Sequence, residues 1–76
     1  MKVNRTDAAS AYLKDQYGIQ RTPRTLAKLR SVGGGPRFIR VSKTEVVYST
    51  DDLDNWATQL LGPSFANTAE EHKAAA

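Results

Sequence analysis

The chain is 76 residues long, carries a net charge of +3 at neutral pH and contains no cysteine. A chain of that length makes one domain and buries only about 60% of its unfolded surface, which leaves room for one small core and none for a deep catalytic cleft. Without cysteine there are no disulfides, thiolate metal sites or cysteine nucleophiles, and no apolar run is long enough for a signal peptide or a bilayer span, so a soluble cytoplasmic protein with no membrane partner is expected.

The first predicted element is a helix capped by Thr6, with Asp7 placed against the positive end of its dipole. Ala8, Ala9, Tyr12, Leu13 and Tyr17 form a stripe of helical period, and Gly18 ends it. Ile19 is a lone apolar residue expected to tuck under the turn before Gln20-Arg21 lead into the next cap. Asn4-Arg5-Thr6 matches a glycosylation acceptor, which carries no weight without a secretory signal.

Residues 22 to 32 read as a short helix that is apolar on one side and cationic on the other. Thr22 is the predicted N-cap, Pro23 suits the first helical position, and Gly33 supplies the stop. Leu26, Leu29 and Val32 are its predicted buried stripe, whereas Arg24, Thr25 and Lys28, with Arg21 and Arg30 one turn away, are spaced to reach a polyanion together. Two short helices joined by a glycine-containing turn make a helix-turn-helix.

Gly33-Gly34-Gly35-Pro36 breaks the chain. A phosphate-binding loop is excluded there, because neither a preceding strand, a following helix nor Gly-Lys-Ser/Thr is present. Arg37 to Val41 and Val46 to Tyr48 are β-branched and aromatic runs separated by Ser42-Lys43-Thr44-Glu45, which predicts a β-hairpin. Ser49 and Thr50 with Asp51 and Asp52 predict the start of a third helix, ended by Gly62-Pro63. Leu53, Trp56, Leu60 and Leu61 are its expected inner face, with Trp56 as the main core aromatic. The carboxylates Asp51, Asp52 and Asp54 could be offered as a metal or acid–base site, but helix-start carboxylates explain them more simply.

From Ser64 onward the composition is too poor in apolar residues to join a core, although Thr68 to Glu71 has a capping-box pattern. His72, the only histidine, lies in this tail and reads as a solvated side chain. Charge is segregated along the chain. Residues 20 to 43 hold seven cations (Arg21, Arg24, Lys28, Arg30, Arg37, Arg40, Lys43) and no anion, whereas residues 44 to 76 hold only Lys73 against Glu45, Asp51, Asp52, Asp54, Glu70 and Glu71. A solvated face would be served as well by mixed signs, so a net +7 beside a net −5 points to a polyanionic partner.

Helix, turn, helix, glycine turn, hairpin and helix describe an α+β, mostly helical winged helix-turn-helix over residues 1–62, with a flexible acidic, alanine-rich tail over 63–76. Thr6 to Ala9 with Tyr12-Leu13, Pro23 to Leu26, Leu29-Arg30, Gly33 to Pro36, Phe38, Tyr48, and Asp52-Leu53-Asp54 with Trp56 resemble the small excisionase-like, MerR-like winged helix-turn-helix proteins of bacteria, phages and integrative elements. The resemblance covers residues 6 to about 61, and departs from the family in a longer first turn (Lys14 to Arg21) and in a wing tip without Gly-Arg.

That family consists mostly of recombination directionality factors, which bind and bend DNA beside an integrase site, and of small regulators related to the prophage activator AlpA. The resemblance therefore implies double-stranded DNA as partner, a tyrosine-recombinase integrase as a second one, and a location on the bacterial nucleoid. It implies that helix 22–32 enters the major groove while the wing meets the backbone or the minor groove. Arg24, Thr25 and Lys28 are then the base-edge candidates, and Arg21, Thr22, Arg30, Arg37, Arg40, Lys43 and Thr44 the backbone and wing candidates. Because one such domain reads few base pairs and no heptad favours a two-fold dimer, cooperative head-to-tail binding on tandem sites is expected, with the acidic half of one copy meeting the basic half of the next. A transcriptional regulator of AlpA or MerR type is the alternative within the family, and an adaptor whose basic face docks on an acidic protein is the alternative of another class. Nothing in the chain supplies a nucleophile–base pair, metal-ligand spacing or cofactor loop, so no catalytic residue, metal or cofactor is expected.

Overall fold

The structure is a computed structural model that describes residues 2–62 and 64–75. Among the described residues it is a small, mostly helical α+β fold. Its elements in order are β1 (Val3–Arg5), α1 (Thr6–Tyr17), α2 (Pro23–Val32), β2 (Ile39–Arg40), β3 (Val46–Ser49), α3 (Thr50–Leu61) and α4 (Thr68–Ala75). The strands form one antiparallel sheet in the order β1-β3-β2, so β3 is central: Val47 faces Arg5 on one side and Ile39 on the other.

β3 alternates as a half-buried strand should, with Val46 and Tyr48 turned inward and Val47 less covered. Tyr48 is fully buried and forms the core with Ala9, Leu13, Ile19, Leu26, Leu53 and Ala57. These side chains come from α1, the turn after it, α2, β3 and α3, so each element contributes one or two residues to a single cluster. Gly18 closes α1 in the left-handed conformation (φ 68°), and its amide bonds to the Lys14 carbonyl. Ile19 then turns back under the helix, its amide bonded to the Leu13 carbonyl.

Strand β1 has no counterpart in the sequence reading, because Val3-Asn4-Arg5 is too short to show a period. It is held by its pairing with β3 and by the Asn4 side-chain amide, which donates to Thr50 Oγ1 at 3.3 Å. This strand also displaces the predicted cap. Arg5 occupies the N-cap position without a side-chain bond, and Thr6, expected to cap α1, is instead its first residue. Ser49 does cap α3 as expected: its Oγ accepts from the Asp52 amide at 3.1 Å.

Other expectations are corrected by where the core ends. Trp56 is half-buried at the edge, and the central aromatic is Tyr48. Leu60 (45% exposed) and Leu61 (55% exposed) lie in the last turn of α3, beyond its last core residue, Ala57, and Val32 (68% exposed) lies at the corresponding end of α2. The inward line of α2 is Leu26 with the half-buried Leu29 and Arg30, which leaves Val32 off the packed side. Ala8 is likewise exposed. The predicted strand 37–41 shrinks to Ile39–Arg40, since β3 offers Val46 and Val47 as its only partners there. In the tail, α4 is capped by Asn67 rather than Thr68: Asn67 Oδ1 accepts from the Glu70 amide, and Glu70 Oε2 accepts from the Ala66 amide. Residues 64 to 72 are all exposed, and the expected role of Pro63 in ending α3 lies outside the described residues.

A polar clasp joins α1 to α3. Tyr12 and Tyr17 both donate their hydroxyls to Asp54 Oδ1, at 2.6 and 2.7 Å, with the two rings edge to face. Asp54 therefore does more than start a helix. The two donated hydrogen bonds hold its carboxyl below the usual carboxylate range, against a partial desolvation that acts the other way. The bond to Asp54, followed by desolvation, pushes the Tyr12 hydroxyl up to about 12. Asp54 favours folding as a carboxylate, so its contribution is complete above the ordinary carboxylate value and is lost as pH falls from there through its lowered native value. Tyr12 favours folding as the neutral phenol, so its contribution persists up to its ordinary value near 10 and disappears as pH climbs towards 12. Urea unfolding measured against pH should show both limbs, and replacing both tyrosines by phenylalanine should flatten both, since it removes the alkaline hydroxyls and the two bonds that hold Asp54 down.

Candidate nucleic-acid interface

Helix α2 is built to start sharply. Thr22 Oγ1 accepts from the Thr25 amide at 3.2 Å and meets Thr25 Oγ1 at 3.0 Å, and Pro23 occupies the first helical position. The first turn of α2 has no acidic residue and carries Arg24, whereas α1 begins with Asp7 and α3 with Asp51 and Asp52. A cation there opposes the helix dipole, typically by about 0.3–1 kcal/mol. Stability does not explain it; a ligand anion would offset it.

The helical period sorts the cations. Leu26 and Arg30, four apart, lie on the inward side, and Arg24, Lys28 and Ser31 lie opposite, all three exposed. Arg30 is thus not a free phosphate ligand. Its NH1 donates to Tyr48 Oη at 2.7 Å and to Thr6 Oγ1 at 3.2 Å, while its guanidinium lies about 6 Å from the ring centres of both Phe38 and Tyr48 (6.0 and 5.9 Å). The signal was present in the sequence, since position 30 follows Leu26 by one turn and adjoins Leu29. Two threonines are also occupied: Thr25 is half-buried and, with Thr22, spends its hydroxyl on the cap. Arg21 is half-buried, with NH1 bonded to the Gln20 carbonyl, and its own carbonyl accepts from Ser10 Oγ at 2.6 Å, which ties the turn to α1.

The loop after α2 brings the hairpin back against it. Gly33 and Gly34 both adopt φ of 93°, and a Cβ at Gly35 would lie 2.8 Å from the Leu29 Cβ, so this segment has to be glycine to run this close to α2. Trp56 Nε1 donates to the Gly34 carbonyl at 3.0 Å and fixes the loop to α3. Phe38 then packs edge to face on Tyr48 and takes Arg30 on one side and Arg40, 5.9 Å from its ring centre, as a second cation.

At the hairpin tip Ser42 and Glu45 exchange backbone hydrogen bonds around Lys43 and Thr44, both exposed. Arg40 folds over that tip, its NH1 donating to the Ser42 and Lys43 carbonyls at 3.4 and 3.2 Å. Glu45, the anion nearest the basic block, is neutralised by an ion pair with Arg5. Arg24, Lys28, Arg37, Arg40 and Lys43 are therefore the exposed cations of the expected set, carried by α2 and by the loop and hairpin that follow it.

Among the described residues no group of three His, Cys, Asp or Glu is placed to hold a metal ion, and no helix is long and apolar enough to cross a membrane. Comparison with protein-family models, curated proteins and solved structures gives no match to this chain.

The two kinds of arginine should separate in folding measurements. Arg30→Ala leaves the buried Tyr48 hydroxyl without its donor and should cost about 1–3 kcal/mol in urea unfolding, whereas Arg24→Ala, which removes a cation from a helix N-terminus, should cost nothing and stabilise by up to about 1 kcal/mol. Equal effects would mean that Arg30 does not bridge α2 to the sheet.

Proposed function

We propose that this chain is a sequence-specific duplex-DNA-binding protein of winged helix-turn-helix type. In this reading α1 and α2 are the helix-turn-helix, α2 is the recognition helix, and β2–β3 is the wing. The observation that carries it is the outward face of α2: Arg24 and Lys28 stand exposed one turn apart on a helix whose N-terminus lacks any acid, beside a hairpin that adds Arg37, Arg40 and Lys43. An α-helix of this kind fits a major groove, where arginine can grip guanine with two hydrogen bonds. Arg24 and Lys28 take the base edges, and Arg37, Arg40 and Lys43 take phosphates. Thr22 and Thr25 shape the start of the helix.

Together with the resemblance to excisionase-like proteins, this supports a recombination directionality factor of a phage or integrative element, acting on the nucleoid beside a tyrosine recombinase. One domain of this size covers about 600–1,000 Å² of interface and selects poorly alone. Tandem sites filled head to tail would supply the missing selectivity and curve the DNA. The acidic start of α3 in one copy and the basic hairpin of the next provide the complementary charge for that contact.

Mobility-shift titrations test the reading. With three phosphates neutralised by Arg37, Arg40 and Lys43, and up to five if every exposed cation displaces a counterion, the slope of log K against log salt should be about −3 to −4.5. Arg24→Ala should cost about 1–3 kcal/mol on the selected site and little on random duplex, and Arg40→Ala should weaken both alike. A flat salt dependence would refute DNA binding, and a fragment with several sites that fills independently would refute the tandem arrangement.

A further inference from the structure

Val32 is 68% exposed, more than any other large apolar side chain among the described residues. Packing does not account for it. It is the last residue of α2, off the line of Leu26 and Leu29 that faces the core, and the residue after it is the glycine that ends the helix. Nor does helix formation favour it, since a β-branched residue at an exposed helical position is a poorer choice than alanine, lysine or glutamine. Isolated apolar residues on a surface are ordinary. What distinguishes Val32 is its place on the helix: it lies one turn after Lys28 on the flank of the outward side, where Arg24, Lys28 and Ser31 offer a polyanion only charge and hydrogen bonds.

We infer that Val32 is a specificity-determining residue that packs against the C5 methyl group of a thymine in the major groove. The inference rests on the proposed role of α2 in reading DNA and adds to it a contact that is apolar. Arginine and lysine select acceptor-rich edges such as guanine, and they leave thymine distinguished from cytosine by little other than its O4 acceptor and its methyl group. Thr25, the other β-branched residue on this helix, is half-buried with its hydroxyl turned to the cap, and Ala27, though exposed, reaches only one carbon from the backbone. Val32 offers two methyl groups from an exposed position and loses no core contact in doing so.

The test begins with selection of preferred duplexes from a random pool by the wild-type protein and by Val32→Ser. Each thymine of the wild-type site is then replaced in turn by uracil, which keeps every hydrogen-bonding group and removes only the methyl. At one position uracil should weaken wild-type binding about four-fold, the equivalent of about 0.8 kcal/mol for one buried methyl group. The same replacement should leave Val32→Ser unchanged, and that variant should show a relaxed preference at the same position. Because the side chain is exposed, its urea midpoint should match the wild type. Uracil without effect at every position, or with equal effect on both proteins, overturns the inference while DNA reading by α2 stands. A loss by Val32→Ser that is uniform over all duplexes also overturns it, in favour of a sugar contact. Failure of the wild type to enrich any duplex removes the inference and the DNA-binding reading together.

Discussion

The hydrogen bond from Arg30 to the hydroxyl of Tyr48 is the link on which the arrangement of this small protein depends. Tyr48 is fully buried in the central strand, and its one polar atom needs a partner inside the fold. Arg30 supplies it from α2, reaches Thr6 at the start of α1 with the same nitrogen, and lies over Phe38 in the segment leading to β2. One side chain therefore ties α2 to the sheet, to α1 and to the segment before β2. Losing it would orphan a buried hydroxyl and leave Leu26 in the core and the glycine loop on Leu29 to hold α2 in place.

The chain follows the rules of helix electrostatics in three helices and breaks them in a fourth. Asp7 opens α1, Asp51 and Asp52 open α3, and Glu70 and Glu71 lie in the first turn of α4, each with the sign that the dipole favours. Helix α2 opens with Arg24 instead and holds its N-terminus together by the Thr22–Thr25 cap and Pro23 alone. A protein with so small a core has little stability to give away, and departures of this kind gather where function requires them. Arg24, Lys28 and Val32 are all exposed on that helix.

Much of the fold was legible because its punctuation is strong. Gly18, Thr22-Pro23, Gly33 and Ser49 each impose a backbone geometry or a cap, and each ends or starts an element where expected. The α2 surface could be read for a similar reason, as Arg24 and Lys28 share a side by simple helical spacing. What escaped were features that depend on pairing at a distance. Three residues of β1 carry no period of their own and exist through β3; Thr6 lost its capping role to that strand. Arg30 counted as a free cation because charge suggests solvent, although its position one turn after Leu26 aimed it inward. Trp56 was ranked by size, and the fold gave the centre to Tyr48, which the sheet places between α1, α2 and α3.

Amide chemical shifts of the isotopically labelled protein, followed by NMR while a duplex is titrated in, bear most directly on the account that α2 and the hairpin form one DNA-binding face. The account predicts that the changes gather in residues 22–32 and 37–44 and leave residues 53–61 of α3 in place. Changes centred on α3, or none at low salt, would contradict it.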